Sequence, residues 1–308
     1  MPEPTTARAG SPTELVSVVI PCLNSAQFVC QAIDSVLAQD HAPIECIVVD
    51  GGSTDGTLKL LERYADRIRW VSEPDRGHAH AINKGWGMSR GQVLAWLNAD
   101  DCWVRPHAVR SAMDYLQRHD QVDVVYGDCL WIDSEGRTRG PVYAHPWDLQ
   151  HAVEFADHCI PQPAAFIRRR ILQKVGLLDE RIFTKDRELW LRIGRAGTIH
   201  HLPRPLAMAR NTRGISDDGR RVAPAIVEVT RKFFACRPLP SGFDALRRRA
   251  MSNAYLRGAY YAYAGGRLWD VYASYVMRAA AADPTNLRHV MRHVGRYVCR
   301  SLLRKAQA

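Results

Sequence analysis

Two adjacent carboxylates follow a short apolar run in the first third of the chain. The run is 93–97, and Asn98, Ala99, Asp100 and Asp101 come directly after it. A short apolar run bounded by polar residues predicts a buried strand of a parallel sheet, and ligands bind at the carboxyl ends of such strands. Paired carboxylates there suit a hard divalent cation, Mg²⁺ or Mn²⁺, shared with substrate phosphates. A helix N-cap followed by a first-turn acid explains this stretch equally well.

Strands and helices alternate before the two carboxylates. Apolar runs and helical spacing predict a strand, a helix, a second strand, a second helix and a third strand, over 15–20, 27–39, 45–49, from about 57, and 68–71. This order predicts an α/β sheet of the doubly wound type with helices on both faces. Pro21 is expected to end the first strand, and Asn24 or Ser25 to cap the helix that follows.

A polar loop follows each of the first two strands, at 21–24 and 50–56. Asp50 is placed to accept hydrogen bonds from a base or a ribose, and Gly51 leaves room for a ligand to approach the backbone. A glycine-rich turn with Asp50 as a helix cap is the alternative. The sequence contains neither the Gly-x-Gly-x-x-Gly dinucleotide fingerprint here nor a phosphate-binding Gly-x-x-x-x-Gly-Lys-Ser/Thr loop.

An acid-x-acid pair opens a predicted helix in the second half of the chain. Asp186 and Glu188 stand near its N-terminus, where acids are common because they interact favourably with the helix dipole. A general base for catalysis is the functional alternative. Four cations along the chain are candidates to neutralise phosphate: Arg76, Lys84, Arg210 and Arg213.

Four segments, in order, resemble the family 2 glycosyltransferases of GT-A fold that serve bacterial polysaccharide and cell-envelope synthesis. They are VVIPCLN at 18–24, VVDGGSTDGT at 48–57, EPDRG with NKG within 73–85, and LNADD at 97–101. The resemblance implies a GT-A sheet with helices on both faces. It also implies a nucleoside-diphosphate-sugar donor, a divalent metal (Mg²⁺ or Mn²⁺), and transfer to an acceptor hydroxyl with inversion. The acceptor would be a glycan or a lipid-linked molecule.

The resemblance also implies roles for individual residues. Asp100 would bind the metal with Asp101 beside it, and Asp186 would be the catalytic base. Gln162, Glu188, Arg210 and Arg213 would lie on the acceptor and phosphate side. The nucleotide-sugar would contact the following residues: Pro21, Asn24, Asp50, Gly51, Asn83, Lys84, Asn98, Ala99 and Asp100.

Two positions depart from the family pattern. Asn98 replaces the first acid of the Asp-x-Asp motif, and Thr212 stands where a histidine is expected. Both changes support an alternative, a catalytically weakened GT-A protein that only binds nucleotide sugars. A basic nucleic-acid-binding protein is the other alternative. It is disfavoured because the chain has neither zinc-finger spacing nor an aromatic RNA-binding motif, so no nucleic-acid partner is expected.

Composition predicts a soluble globular protein. The chain has 308 residues, of which 46% are hydrophobic and 24% charged. Eight scattered cysteines without a Cys-x-x-Cys pair predict reduced thiols in the cytoplasm. We predict a disordered lead, a GT-A catalytic domain and a C-terminal helical region, over 1–14, 15–221 and 222–308.

The last predicted helix, 286–305, combines a basic and an apolar stripe. Arginines recur every fourth residue from Arg288 to Arg304, and an apolar stripe lies opposite them. Such a helix can lie on an anionic membrane surface, which would make the protein peripheral on the inner face of the cell membrane. Packing on a neighbouring helix with a solvated arginine face is the preferred interpretation.

Liposome binding separates these two interpretations of the 286–305 helix. On the membrane interpretation, the full chain sediments with anionic liposomes because its arginines and apolar stripe both engage the surface. A chain lacking 286–308 then stays in the supernatant, and neutral liposomes serve as the control. Equal sedimentation of the two chains would exclude a membrane role for this helix.

Overall fold

A computed structural model describes residues 14–104, 106–142, 144–157, 159–210, 218–265 and 268–295. The strands are β1 Val16–Cys22, β2 Ile44–Asp50, β3 Arg69–Ser72, β4 Val93–Trp96, β5 Cys102–Trp103, β6 Val124–Ile132, β7 Thr138–Val142, β8 Ala165–Arg168 and β9 Ile199–Arg210. The helices are α1 Val29–Leu37, α2 Thr57–Glu62, α3 His78–Met88, α4 Ala108–Arg118, α5 Leu149–Glu154, α6 Arg169–Val175, α7 Lys185–Ala196, α8 Gly219–Ala235, α9 Phe243–Ala264 and α10 Trp269–Ala282. Residues 287–295 are also helical.

The strands form one mixed sheet in the order β3-β2-β1-β4-β8-β6-β9-β5, with β7 paired to β6. The first four strands are parallel, as expected for alternating strands and helices. β8 enters between β4 and β6 and runs antiparallel to both. The second half of the sheet is therefore mixed, whereas alternation in the first half alone suggested a parallel sheet.

Both faces of the central strand β1 are covered by helices, as predicted. Val18 and Ile20 belong to the core on the α1 side, and Val19 belongs to the core on the α3 side. All three side chains are fully buried. A strand buried on both faces reads as a continuous apolar run, which explains the composition of this segment.

Two local expectations at the end of β1 are wrong. β1 continues through Pro21 to Cys22. Pro21 has no N–H to donate, but this costs the sheet no hydrogen bond, because β4 pairs with β1 only up to Val19 and does not reach Pro21. α1 begins at Val29 with Phe28 as its N-cap residue, without a side-chain cap. Asn24 instead has a φ of 50°, and its Oδ1 accepts the N–H of Thr54 in the next loop.

The C-terminal helices α8 and α9 pack against α5 and α7. Phe233 of α8 and Phe243 of α9 share a core with Leu191 of α7 and Val153 of α5. α8 begins at Gly219, where the Asp218 side chain accepts the first free N–H groups of the helix. In the part of the chain that the structure describes, no helix has the length and apolarity to cross a membrane.

The terminal helix is described only up to residue 295. Val290 is buried in the core formed with α8 and α9, which agrees with packing on neighbouring helices. Leu287 and Met291, which were placed on the packed stripe, are instead 51% and 62% exposed. Residues 296–308 lie outside the described part, so the membrane interpretation stays a prediction.

Two glycines of α3 provide a matched test of the packing between α3 and β1. A Cβ at Gly85 would overlap the buried Val19 side chain, lying 2.7 Å from its Cγ2, whereas a Cβ at Gly87 meets nothing within 4 Å. We expect Gly85→Ala to lower the free energy of unfolding by about 1–3 kcal/mol. Gly87→Ala should raise it by about 0.5–1 kcal/mol, because alanine favours the helix. Denaturant titration measures both, and equal stability of the two variants would contradict this packing.

Candidate active site

The loops after β1 and β2 are joined by hydrogen bonds at the carboxyl edge of the sheet. The Asn24 N–H donates to the Ser53 hydroxyl at 2.7 Å, and the Asn24 side chain accepts the Thr54 N–H at 2.9 Å. The Ala26 N–H donates to Asp55 at 3.0 Å. These bonds join the two loops that carry the predicted nucleoside-binding residues Pro21, Asn24 and Asp50.

Asp50 holds the loop that follows β2 in place. Its side chain is fully buried and accepts hydrogen bonds from the hydroxyls of Ser53 and Ser72 and from the N–H groups of Gly52 and Ser53. Burial opposes ionisation, but these donors outweigh it and hold the pKa of Asp50 below its usual value. The carboxylate therefore shapes the turn, and its predicted contact with a base or ribose stays a prediction.

Gly51 lies beside Asp75, a residue of the EPDRG segment to which the sequence assigned no role of its own. A Cβ at Gly51 would lie 2.7 Å from Oδ2 of Asp75, so a larger residue there would require the Asp75 side chain to move. The other oxygen of Asp75 accepts the Gly77 N–H at 2.7 Å. Asp75 thus lies between the loop after β2 and the start of α3.

The loop after β4 contains a chain of hydrogen bonds through Asn98. The Asn98 amide donates to Oδ2 of Asp101 at 3.0 Å, and its Oδ1 lies 2.9 Å from Nε2 of His78. When Asp101 is ionised its carboxylate can only accept, so the amide nitrogen then faces Asp101 and the amide oxygen faces His78. His78 therefore carries its proton on Nε2. The other oxygen of Asp101 accepts the Arg210 N–H at 3.0 Å.

The pKa values of this chain reflect its burial. Burial and the nearby charge of Asp100 raise the pKa of Asp101 to about 7, against the hydrogen bonds from Arg210 and Asn98. Burial and the Lys185 charge lower the pKa of His78 to about 4, against the Asn98 hydrogen bond and the Asp186 charge. The ring of His78 is thus neutral at pH 7. A cation next to Asp100 and Asp101 would relieve their repulsion.

Arg210 supports the loop from beneath instead of facing phosphate. It is 5% exposed, and its guanidinium donates to the Asp100 carbonyl at 3.0 Å and to Gln31 at 2.7 Å. The guanidinium also lies 4.3 Å from the centre of the Phe28 ring. This placement differs from the predicted phosphate role, because these contacts satisfy the side chain inside the protein. Arg213 lies outside the described residues.

Asp186 is positioned by an aromatic stack between α7 and β4. Trp190, one turn after Asp186, stacks on Trp96 at the end of β4, with 5.8 Å between ring centres and 14° between planes. Gln162 lies in a 3₁₀ turn before β8, and its amide donates to the Trp96 carbonyl at 2.7 Å. The negative charge of Asp186 acts to raise the pKa of His78, whose ring bonds to Asn98. The position of Asp186 at the donor edge stays a prediction.

Three predicted site residues are engaged elsewhere. Glu188 is 3% exposed and pairs with Arg192 and Lys232, because residues two apart on a helix point to different sides. Lys84 pairs with Glu73. The Asn83 amide exchanges two hydrogen bonds with the Leu178 backbone. These contacts differ from the acceptor-side and donor-binding roles expected of them.

The structure has the fold of known nucleotide-sugar transferases. It aligns with a mannosyltransferase, PcManGT from Pyrobaculum calidifontis, solved with GDP-Man and Mn²⁺, with a TM-score of 0.60 and 21% identity over 92% of this chain and 80% of that one. It also aligns with residues 1–349 of TarS from S. aureus, solved with UDP-GlcNAc, with a TM-score of 0.56 and 16% identity over 86% of this chain and 91% of that one. The fold is thus that of the GT-A glycosyltransferases.

The sequence comparison defines the family. Residues 17–176, just over half of the chain, match the model of glycosyl transferase family 2. The chain therefore belongs to this family. An uncharacterised glycosyltransferase of Nostoc sp. is 33% identical over 177 residues, which cover 53% of this chain and 54% of that protein. The chain thus spans little more than half the length of this curated relative.

Asn98→Asp tests the polarity of the hydrogen-bond chain. The variant replaces a donor 3.0 Å from the Asp101 carboxylate by a second acid. We expect a loss of about 1–3 kcal/mol in the free energy of unfolding at pH 7. The loss should shrink as the pH falls towards 5, because the paired acids have raised pKa values and take up a shared proton. Denaturant titration at both pH values measures this.

Asn24→Asp is the matched control for Asn98→Asp. Asn24 uses its side-chain oxygen as an acceptor for the Thr54 N–H, a role that a carboxylate retains. We therefore expect a change within about 0.5 kcal/mol. If Asn98→Asp were as mild as this control at pH 7, the assigned direction of the Asn98 hydrogen bonds would be wrong.

Proposed function

We propose that the protein transfers a sugar from a nucleoside diphosphate to an acceptor hydroxyl, with inversion at the anomeric carbon. The observation that supports this most directly is the match of residues 17–176 to glycosyl transferase family 2, in a fold whose loops after β1 and β2 are joined at the carboxyl edge of the sheet. The acceptor oxygen forms a bond to the anomeric carbon while the bond from that carbon to the diphosphate oxygen breaks. The proton of the hydroxyl passes to a base, and the nucleoside diphosphate leaves. We propose a glycan or lipid-linked acceptor in surface polysaccharide or glycolipid synthesis.

Asp186 is our proposed general base. It is the second residue of α7, partly exposed, and held by the Trp96 and Trp190 stack. A positioned carboxylate that accepts the hydroxyl proton typically contributes 10²–10⁴-fold to the rate. No proton has to reach the departing diphosphate, so a single carboxylate meets the requirement. Glu188, with both oxygens in ion pairs, is not a competitor for this role.

Asp100 and Asp101 fit a divalent metal by their donor type. Both offer carboxylate oxygens, and Asp101 is held by the Asn98 amide and the Arg210 N–H. When bound, Mg²⁺ or Mn²⁺ would supply positive charge to the leaving diphosphate. We propose Asp100 as the principal ligand and Asp101 as the residue that fixes the loop around it. Asn98 contributes no charge, but its amide keeps Asp101 in place.

A nucleotide-sugar-binding protein without catalysis is the second candidate. Asn98 in place of the first acid favours it, because one carboxylate fewer weakens attraction for a cation. The two candidates predict the same binding of donor and differ only in turnover. A test therefore has to measure binding and turnover separately.

Calorimetry with UDP-, GDP- and dTDP-sugars, with and without Mn²⁺, tests the donor site. We expect one class of donor to bind in a metal-dependent manner and Asp100→Asn to weaken that binding at least tenfold. Asp186→Asn should bind the same donor within about twofold and release nucleoside diphosphate about 10²–10⁴-fold more slowly. Asp114→Asn, on the exposed side of α4, is the control and should change neither quantity.

Each result has a defined meaning. If the wild type binds a donor but transfers no sugar to any acceptor tried, the result favours the second candidate, a nucleotide-sugar-binding protein without catalysis. Failure of all three donor classes to bind would overturn the proposed site. A product in which the sugar retains its anomeric configuration, measured by NMR, would overturn the single displacement.

A further inference from the structure

Three metal-binding side chains converge outside the donor edge: His145, His151 and Asp157. Nε2 of His145 lies 2.7 Å from Oδ2 of Asp157, and Nε2 of His151 lies 3.5 Å from the same oxygen. One ligand atom from each residue lies within 4.8 Å of the others. The residues come from the loop after β7, from α5 and from the loop after α5. Nothing in the proposed transfer reaction uses them.

The hydrogen bonds of His145 require a proton or a metal ion between its Nε2 and the carboxylate of Asp157. Nδ1 lies 3.1 Å from the Pro146 carbonyl, which can only accept, so Nδ1 carries a proton. Nε2 of the neutral ring then directs its lone pair at the carboxylate oxygen of Asp157. Two acceptors 2.7 Å apart repel unless a second proton or a metal ion lies between them. Histidines that bind metals commonly donate their other N–H to a backbone carbonyl in this way.

We propose that His145, His151 and Asp157 form a second metal site, for a borderline divalent ion with Zn²⁺ preferred. Two imidazole nitrogens and one carboxylate oxygen suit Zn²⁺, whereas Mg²⁺ and Ca²⁺ select oxygen ligands alone. Tetrahedral Zn²⁺ places its ligand atoms about 3.3 Å apart. The observed separations of 2.7 and 3.5 Å lie on either side of this value. Both histidine side chains are about half exposed, 47% and 48%, and can adjust by rotation.

Arg257 of α9 orients the carboxylate of Asp157 and connects the site to the C-terminal helices. Its guanidinium donates to Oδ1 of Asp157 at 2.7 Å, so Oδ2 is the oxygen directed at the histidines. Next to the site is a cavity of about 520 Å³, lined in part by His151, Asp157, Arg257 and Tyr260. This space admits water as the remaining ligand. The ion would fix α5 and its two flanking loops beside α9.

The test is titration of the full chain with Zn²⁺ in competition with a chromophoric chelator. All proteins carry Asp100→Asn, which weakens metal binding at the donor edge. We expect one Zn²⁺ per chain, and at least tenfold weaker binding in His145→Ala and in His151→Ala. Co²⁺ in place of Zn²⁺ should give the intense visible absorption of a four-coordinate nitrogen and oxygen site, which these variants lose.

His107→Ala is the matched control. Nδ1 of His107 lies 2.8 Å from Oδ2 of Asp40, and Arg110 lies beside the same carboxylate. This triad copies the His145, Asp157 and Arg257 arrangement without a second histidine, so its loss should leave Zn²⁺ affinity unchanged. Absence of a bound Zn²⁺, or equal affinity in His145→Ala, His151→Ala and His107→Ala, would show that the site holds only a proton. Neither result depends on whether the protein transfers sugar.

Discussion

The stacking of Trp96 determines how the two halves of the candidate active site meet. Trp96 is the last residue of β4 and immediately precedes the segment that leads to Asp100. Its ring stacks on Trp190 of α7 and meets the edge of Trp86 of α3, at centroid distances of 5.8 and 5.3 Å. All three rings are at most 2% exposed. Large buried aromatics contribute both apolar area and about 0.5–1.5 kcal/mol per ring pair beyond it. This cluster fixes Asp186 relative to the loop after β4.

Hydrogen bonds add to the aromatic stack in holding the loop after β4 in place. The chain from His78 through Asn98 to Asp101 and Arg210 links α3, the loop after β4 and the end of β9. Each member is fully or largely buried, so a missing donor or a wrong charge would be costly. The place of Asn98 in this chain of hydrogen bonds explains why an amide is present at this position. It is the one member that must donate to one neighbour and accept from the other, which an aspartate cannot do when ionised.

The two acids at the start of α7 have separate tasks because of helix geometry. Asp186 is partly exposed at the start of α7, whereas Glu188 is buried and pairs with Arg192 and with Lys232 of α8. Asp179 joins the same ion network through Lys232, and hydrogen bonds from Arg181 and Lys232 hold the pKa of Asp179 far below its usual value. The network joins the C-terminal helices to the helix of the proposed base. The C-terminal region therefore contacts the helix that carries Asp186.

The sequence alone determined the family and the alternation of β1 to β4 with their helices, and it predicted the sheet edge at which the site is proposed. These features depend on local periodicity and on motifs that follow strands, and both are visible in a linear chain. Asp100 and Asp186 were singled out for the same reason. β5, α5 and β9 were not predicted. In β9, Pro203 and Pro205 interrupt the pattern, and the strand forms because β6 tolerates shifts of register opposite them.

The partners of each charge were decided only by the tertiary structure. Arg210, Lys84 and Glu188 have the residue types of a phosphate and acceptor site, but packing brings a carbonyl or an opposite charge to each of them. The same holds for His78 and for the cluster of His145, His151 and Asp157, whose members are separated in sequence by loops or helices. Long side chains reach many neighbours, and sequence spacing does not specify which one. Only the three-dimensional arrangement of helices and loops determines which cations and acids remain available to a ligand.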